Sequence, residues 1–147
     1  PLIISWPGQI ATAQCAEGLI ELTDLAPTLL AAAALPIPEA MQGKSLLPIL
    51  KSNADSADHR DYVFSEYYNA WSHRHSYGSM YRTNTHKMIV YHGTDQGELY
   101  DLENDPDEFT NLWHHAETTS LKTELLKATF DASVFTMDPT PLRDGPF

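Results

Sequence analysis

The residues best equipped for chemistry in this chain lie between Tyr67 and Thr94, a window without a single carboxylate. It holds Arg74, Arg82 and Lys87 together with His73, His75, His86 and His92, and Trp71 precedes the first of these by two residues. The chain as a whole carries a net charge of −11, from 20 acidic residues against nine Lys and Arg. A locally cationic surface on an acidic protein suits an anionic ligand. Trp71 beside His73, Arg74 and His75 adds a stacking face to charge-assisted hydrogen bonding. Trp71, His73, Arg74, His75, Arg82, His86 and Lys87 are therefore the candidate ligand-binding residues. The plainer alternative, a short sheet whose polar face happens to carry bases, stays open at this stage.

Other constellations are weaker. Asp55, Asp58 and His59 could be drawn as metal ligands, but a hard cation needs several convergent oxygens, and residues 52–60 read as an exposed polar loop. Asp101-Leu-Glu-Asn-Asp-Pro106 has the carboxylates of a calcium loop, yet Pro106 stands where that loop requires Gly. It reads instead as a strand end and an Asp-Pro turn. His114-His115 reads as surface before a helix. Nothing orders any Ser against any His, so no triad is assigned. The chain is thus expected to hold no catalytic residue and no metal ligand set of its own.

Size and composition bound the fold. A chain of 147 residues can bury one modest core, and 42% hydrophobic content argues against disorder. No apolar run approaches the ~20 residues needed to cross a bilayer, and no signal peptide is visible. Cys15, the single cysteine, excludes an internal disulfide. With no basic face to displace phosphate counterions, nucleic-acid binding is not expected.

The elements that must position the candidate residues change character along the chain. Leu2-Ile3-Ile4-Ser5 reads as a strand buried on both faces, ended by Trp6-Pro7-Gly8. Asp24 is a plausible N-cap for a helix over 25–35, with Pro27 in its first turn and Pro36 and Pro38 beyond it. A short amphipathic turn follows at 46–50. Then Tyr62–Tyr68, Met80–Asn84, Lys87–His92 and Glu98–Leu102 read as four strands rich in Tyr, Val, Ile and Thr. The candidate residues Trp71 to His75 fall in the first connection between them. An acidic helix start is expected after Asp105-Pro106. Ser120–Ala132 reads as an amphipathic helix, and the proline-bearing tail from Met137 as extended.

These blocks, in this order, resemble the C-terminal part of the sulfatase family. The resemblance rests on Pro1-Leu-Ile-Ile-Ser-Trp-Pro-Gly8, Leu22-Thr-Asp-Leu-Ala-Pro-Thr-Leu-Leu30 and Gln42-Gly-Lys-Ser-Leu-Leu-Pro-Ile-Leu50 in the first half. In the second half it rests on Tyr81-Arg-Thr83, Lys87-Met-Ile89, Glu98-Leu-Tyr-Asp-Leu102 and Asp105-Pro-Asp-Glu-Phe-Thr-Asn-Leu112. It implies an α/β fold: residues 1–51 as the end of an alkaline-phosphatase-like α/β sandwich, and 60–147 as an α+β subdomain with a four-stranded antiparallel sheet, a C-terminal helix and an extended tail.

The resemblance also implies sulfate-ester hydrolysis by a formylglycine made from Cys/Ser-x-Pro-x-Arg, assisted by calcium. Cys15-Ala-Glu-Gly-Leu19 lacks the Pro and the Arg, and Ser5-Trp-Pro-Gly-Gln9 has Gln in the last position. Calcium and formylglycine are accordingly expected in the intact enzyme and not in this chain, which should be inactive alone. The expected ligand there is a sulfated small molecule or glycan. A phosphoester or phosphonate hydrolase of the same superfamily, and a non-catalytic carbohydrate- or partner-binding module, remain alternative readings. The family suggests a periplasmic, secreted or lysosomal setting. An N-terminal strand without a partner would invite self-association.

Overall fold

The computed structural model describes residues 2–10, 15–51, 59–69 and 77–136. The chain divides into two compact units, Pro1–Asp61 and Tyr62–Phe147.

The first unit is built on helix α1, Leu25–Ala32, and the short helix α2, Leu47–Lys51. Asp24 is the residue before α1, but its side chain does not cap that helix. A 3-10 turn over Leu22–Asp24 leads into it instead, and the carboxylate turns back to accept the Glu21 amide at 2.9 Å. Helix α1 stops short of the expected Leu35 because Ala34 takes a left-handed φ of 55°. The Leu35 amide then closes on the Leu30 carbonyl at 2.9 Å, a terminus that satisfies carbonyls the helix leaves orphaned. Leu2–Ser5 form no strand, and Ile3 is 90% exposed. The reason is elementary: an apolar run becomes a strand only where another strand supplies the ladder.

The second unit is an antiparallel sheet of strands β1 (Val63–Tyr68), β2 (Tyr77–Arg82), β3 (His86–Tyr91) and β4 (Gly97–Asp101), in the order β1-β2-β3-β4. Helix α3, Thr119–Phe135, packs on one face. The four strands match the expectation in number and type. Strand β2 begins earlier and ends two residues sooner than the sequence suggests, because Thr83 starts the hairpin turn. Its amide donates to the His86 carbonyl at 2.9 Å, and its hydroxyl accepts the His86 amide at 3.0 Å. The core follows from strand alternation. Tyr81, Met88 and Leu99 fall in register on one face, where Leu125 and Ala132 of α3 meet them. Met88 and Leu99 are fully buried, and each such side chain contributes about 1.5–3 kcal/mol relative to exposure.

Among the described residues no fifth strand lies beside β4; residues 111–113 take that place. Asn111 Oδ1 accepts the amides of Leu99 and Trp113 at 3.1 and 2.9 Å, and its Nδ2 donates to the Gly97 carbonyl at 3.0 Å. The Leu112 amide reaches the Leu99 carbonyl at 2.8 Å. The segment before it is a set of turns, not the start of a helix. Asp105 accepts the amides of Phe109 and Thr110, and Glu108 sits at a φ of 58°.

Trp113 lies flat over Gly97, where a Cβ would stand 2.5 Å from three ring carbons. Replacing Gly97 with Ala must push the ring away, at about 1–3 kcal/mol by overpacking. Urea unfolding followed by Trp113 fluorescence should show that loss, and an unchanged midpoint would show the ring free to shift.

Candidate functional site

The residues singled out by sequence do not form one site. Trp71, His73, Arg74 and His75 lie outside the described residues, in the connection between β1 and β2. Arg82 and Lys87 are direct cross-strand partners on β2 and β3, on the sheet face that α3 does not cover. Arg82 is exposed. His86 alternates to the other face, opposite Asp101, with Nδ1 2.9 Å from the Thr85 hydroxyl. Lys87 does not bridge to Glu98, the acid that alternation puts on its face. Its ammonium lies 2.5 Å from Glu108 and 5.9 Å above the Tyr100 ring. Glu98 instead accepts the hydroxyls of Tyr91 and Tyr100 at 2.6 and 3.0 Å. Its carboxylate pushes the Tyr91 phenol up to about 12, so that hydroxyl stays a donor at neutral pH.

The same uncovered face holds a groove of about 270 Å³ between tyrosines on neighbouring strands, with Met80 and Ile89 among its lining. On the helix-side face, the Ser79 hydroxyl lies 2.8 Å from His92 Nε2. Ser79 is buried and no described carboxylate orients His92, so this pair does not assemble a nucleophile and its base. Among the described residues, no group of three or more His, Cys, Asp or Glu could hold a metal ion. They therefore do not fit the oxygen-rich cage that calcium requires.

Sequence reasoning placed His59 and Arg60 in a solvated loop; both are in fact drawn into the first unit. Asp24, wholly inaccessible to water, accepts the Lys44 amide at 2.7 Å and the guanidinium Nη2 of Arg60, with His59 Nε2 3.4 Å away. Arg60 also reaches Glu21 at 2.9 Å. Burial alone would raise the Asp24 pKa. The amides of Glu21 and Lys44, the Arg60 charge and the His59 hydrogen bond outweigh it, so the carboxyl lies below its ordinary value. Gly43 is required here because a Cβ would run into the Thr23 carbonyl. Thr28 completes the knot: its hydroxyl donates to the Asp24 carbonyl at 2.6 Å and accepts the Leu46 amide at 2.8 Å. Asp24, Thr28, Gly43 and Leu46 all lie in the motif blocks, but the sequence offered no sign that their partner is Arg60.

Residues 1–133 match the family N-sulphoglucosamine sulphohydrolase, C-terminal. The chain belongs to the sulfatase family. This sulfatase chain is 34% identical over 131 residues to an N-acetylglucosamine-6-O-sulfatase of Bacteroides thetaiotaomicron, covering 86% of itself and 23% of that relative. It is 38% identical over 120 residues to arylsulfatase K of Rattus norvegicus, covering 76% and 21%. A solved structure of a protein bound to its substrate, D-glucosamine-2-N,6-O-disulfate, superposes with a TM-score of 0.66 at 30% identity, over 83% of this chain and 25% of that one. The fold is that of the alkaline-phosphatase-like sulfatases, and the chain spans about a quarter of the length of these relatives.

The Asp24 cluster yields a pH prediction. A carboxyl with a lowered folded pKa stabilises fully above its unfolded value of about 3.9 and loses that contribution as pH falls through the folded value. Asp24→Asn leaves Arg60 buried with only Glu21 for charge, and should cost about 3–5 kcal/mol. Protection of the Lys44 and Leu46 amides, relative to their intrinsic exchange rates, should fall in the variant at neutral pH, and in the parent chain only below about pH 4. Unaltered protection of those amides would mean the carboxylate does not hold the loop.

Proposed function

We propose that this chain is the C-terminal portion of an enzyme that hydrolyses sulfate esters, and that in the intact enzyme it completes the core and lines the substrate entrance. The family match over residues 1–133 carries this reading. Supporting it is the carboxylate-free window 67–94, which suits a sulfate oxyanion. Arg74 and Arg82 can each present a planar fork of donors to two sulfate oxygens, and Lys87, the cross-strand partner of Arg82, can donate beside it. Trp71 offers a stacking face for a sugar or aryl ring. Relatives named for N-acetylglucosamine 6-O-sulfate and for D-glucosamine-2-N,6-O-disulfate favour a sulfated amino sugar as the substrate class.

The nucleophile and the metal belong, in this reading, to the rest of the intact enzyme. There a formylglycine would supply the nucleophile and calcium the charge that balances the sulfate oxygens, neither of them held by the described residues of this chain. This chain's own residues hold and orient the substrate, and alone it is inactive.

Two assays test this. The purified 147-residue chain should release no sulfate from glucosamine 6-sulfate, whereas the intact enzyme should. In the intact enzyme, Arg74→Ala should lower kcat/KM about 10- to 100-fold, the worth of one charge-assisted hydrogen bond. Turnover by the isolated chain, abolished by a substitution within it, would overturn its assigned inactivity. Preference of the intact enzyme for phosphonate monoesters would overturn the substrate class.

A further inference from the structure

A side-chain cluster that the proposed function does not use stands where β1 ends and β2 begins. Tyr68 closes β1, Tyr77 opens β2, and the two are cross-strand partners. Their ring centroids are 5.9 Å apart and the ring planes are tilted by 51°. The two residues are 55% and 39% exposed, so neither belongs to the core. One step inward on the same face, Glu66 stands opposite Ser79. Glu66 is exposed, and its Oε1 accepts the Tyr68 hydroxyl at 2.5 Å. That hydrogen bond holds the phenol above its ordinary pKa and fixes the carboxylate beside the ring. Its second oxygen, Oε2, has no hydrogen-bond partner among the described residues. None of their lysines or arginines pairs with Glu66, and Ser79 turns its hydroxyl to His92 Nε2 at 2.8 Å.

From this cluster we propose that Tyr68, Tyr77 and Glu66 bind a glucosamine unit by its free ammonium group, with the apolar ring face on the tyrosines and the ammonium on Glu66 Oε2. The inference rests on the proposed substrate class, the sulfated amino sugars. It extends that class to a neighbouring unit whose nitrogen carries neither sulfate nor acetyl. Charge decides the sign of the occupant. An open carboxylate, two electron-rich ring faces and a chain of net charge −11 attract a cation and repel a sulfate. Shape decides the rest, because a pyranose offers a C–H face to an aromatic ring while its polar rim stays in water. An apolar protein surface would instead bury the Glu66 charge unanswered, and a second copy of the chain brings the same carboxylate to the same place. Position agrees as well: the connection between these two tyrosines is the one that carries Trp71 and Arg74, the residues assigned above to the sulfated unit.

The test titrates the isotope-labelled 147-residue chain with chitobiose, a glucosamine disaccharide, and with its N,N′-diacetyl counterpart, read by backbone amide shifts. It is run at about pH 6, below the titration range of an amine. Chitobiose should bind about fivefold or more tighter than the acetylated sugar, and should move the amides of Glu66, Tyr68 and Tyr77. Glu66→Gln changes only an exposed side chain and should abolish that preference. Tyr77→Ala should weaken both disaccharides about tenfold, with unmoved Met88 and Leu99 amides reporting an intact core. Ethanolamine, which has the ammonium and a hydroxyl but no pyranose, should bind about tenfold or more weaker than chitobiose. Absence of binding would overturn the proposal, as would equal affinity for the two disaccharides, a preference that survives Glu66→Gln, or binding indifferent to Tyr77→Ala. Ethanolamine as tight as chitobiose would reduce the site to a cation contact and overturn the sugar. A dimer that Tyr77→Ala dissociates would make the occupant a second copy. Each of these results is separate from sulfate release by the intact enzyme, on which the functional reading stands or falls.

Discussion

A carboxylate cut off from water has to be answered from within the protein, and Asp24 imposes that demand on the whole first unit. Leaving an ion of this kind unpaired costs several kcal/mol, so every segment near it is arranged to donate. The chain returns at Lys44 to supply an amide, and again at Arg60 to supply a guanidinium. The absence of a side chain at Gly43 makes the first return possible. With short helices and little buried apolar surface, this unit is specified more by its polar centre than by a hydrophobic one.

The second unit solves the opposite problem. Its apolar core of Met88, Leu99 and the inner face of α3 is conventional, and its vulnerable point is the backbone of β4. Asn111 acts there as one rung of a missing strand, while Trp113 seals the position from above, its indole N–H held by the Asp95 carbonyl at 2.9 Å. Lys122 donates to the Trp113 carbonyl and stands 4.9 Å above the ring. Helix, loop and sheet edge are thereby joined through one aromatic side chain.

What could be read in the sequence divides along the same line. Strand and helix identities in the second unit follow from local alternation and from Leu121, Leu125, Ala128 and Ala132, so they were legible within a few residues. The short-range turn chemistry at Thr83 and Ala34 moved the boundaries. The apolar run Leu2–Ile4 misled, because its pattern specifies burial but cannot supply a neighbour. For the site, Arg82 and Lys87 were legible as separate candidates, and their pairing appeared only with the register. The Asp24–Arg60 contact spans 36 residues, and nothing in the periodicity of either end announces the other.

The turns between β4 and α3 have a consequence for how this region can vary. Asp101 accepts the amides of Glu103 and Asn104, Asp105 those of Phe109 and Thr110, and Asn111 those of Leu99 and Trp113. In a helix or a sheet ladder, backbone bonds to backbone, and the same hydrogen bonds survive almost any side chain. Here individual side chains write the conformation, so the information specifying it sits in the letters themselves. A loop built this way tolerates fewer spellings than the strands it connects. That is why an irregular stretch such as this one can be identified readily from its sequence.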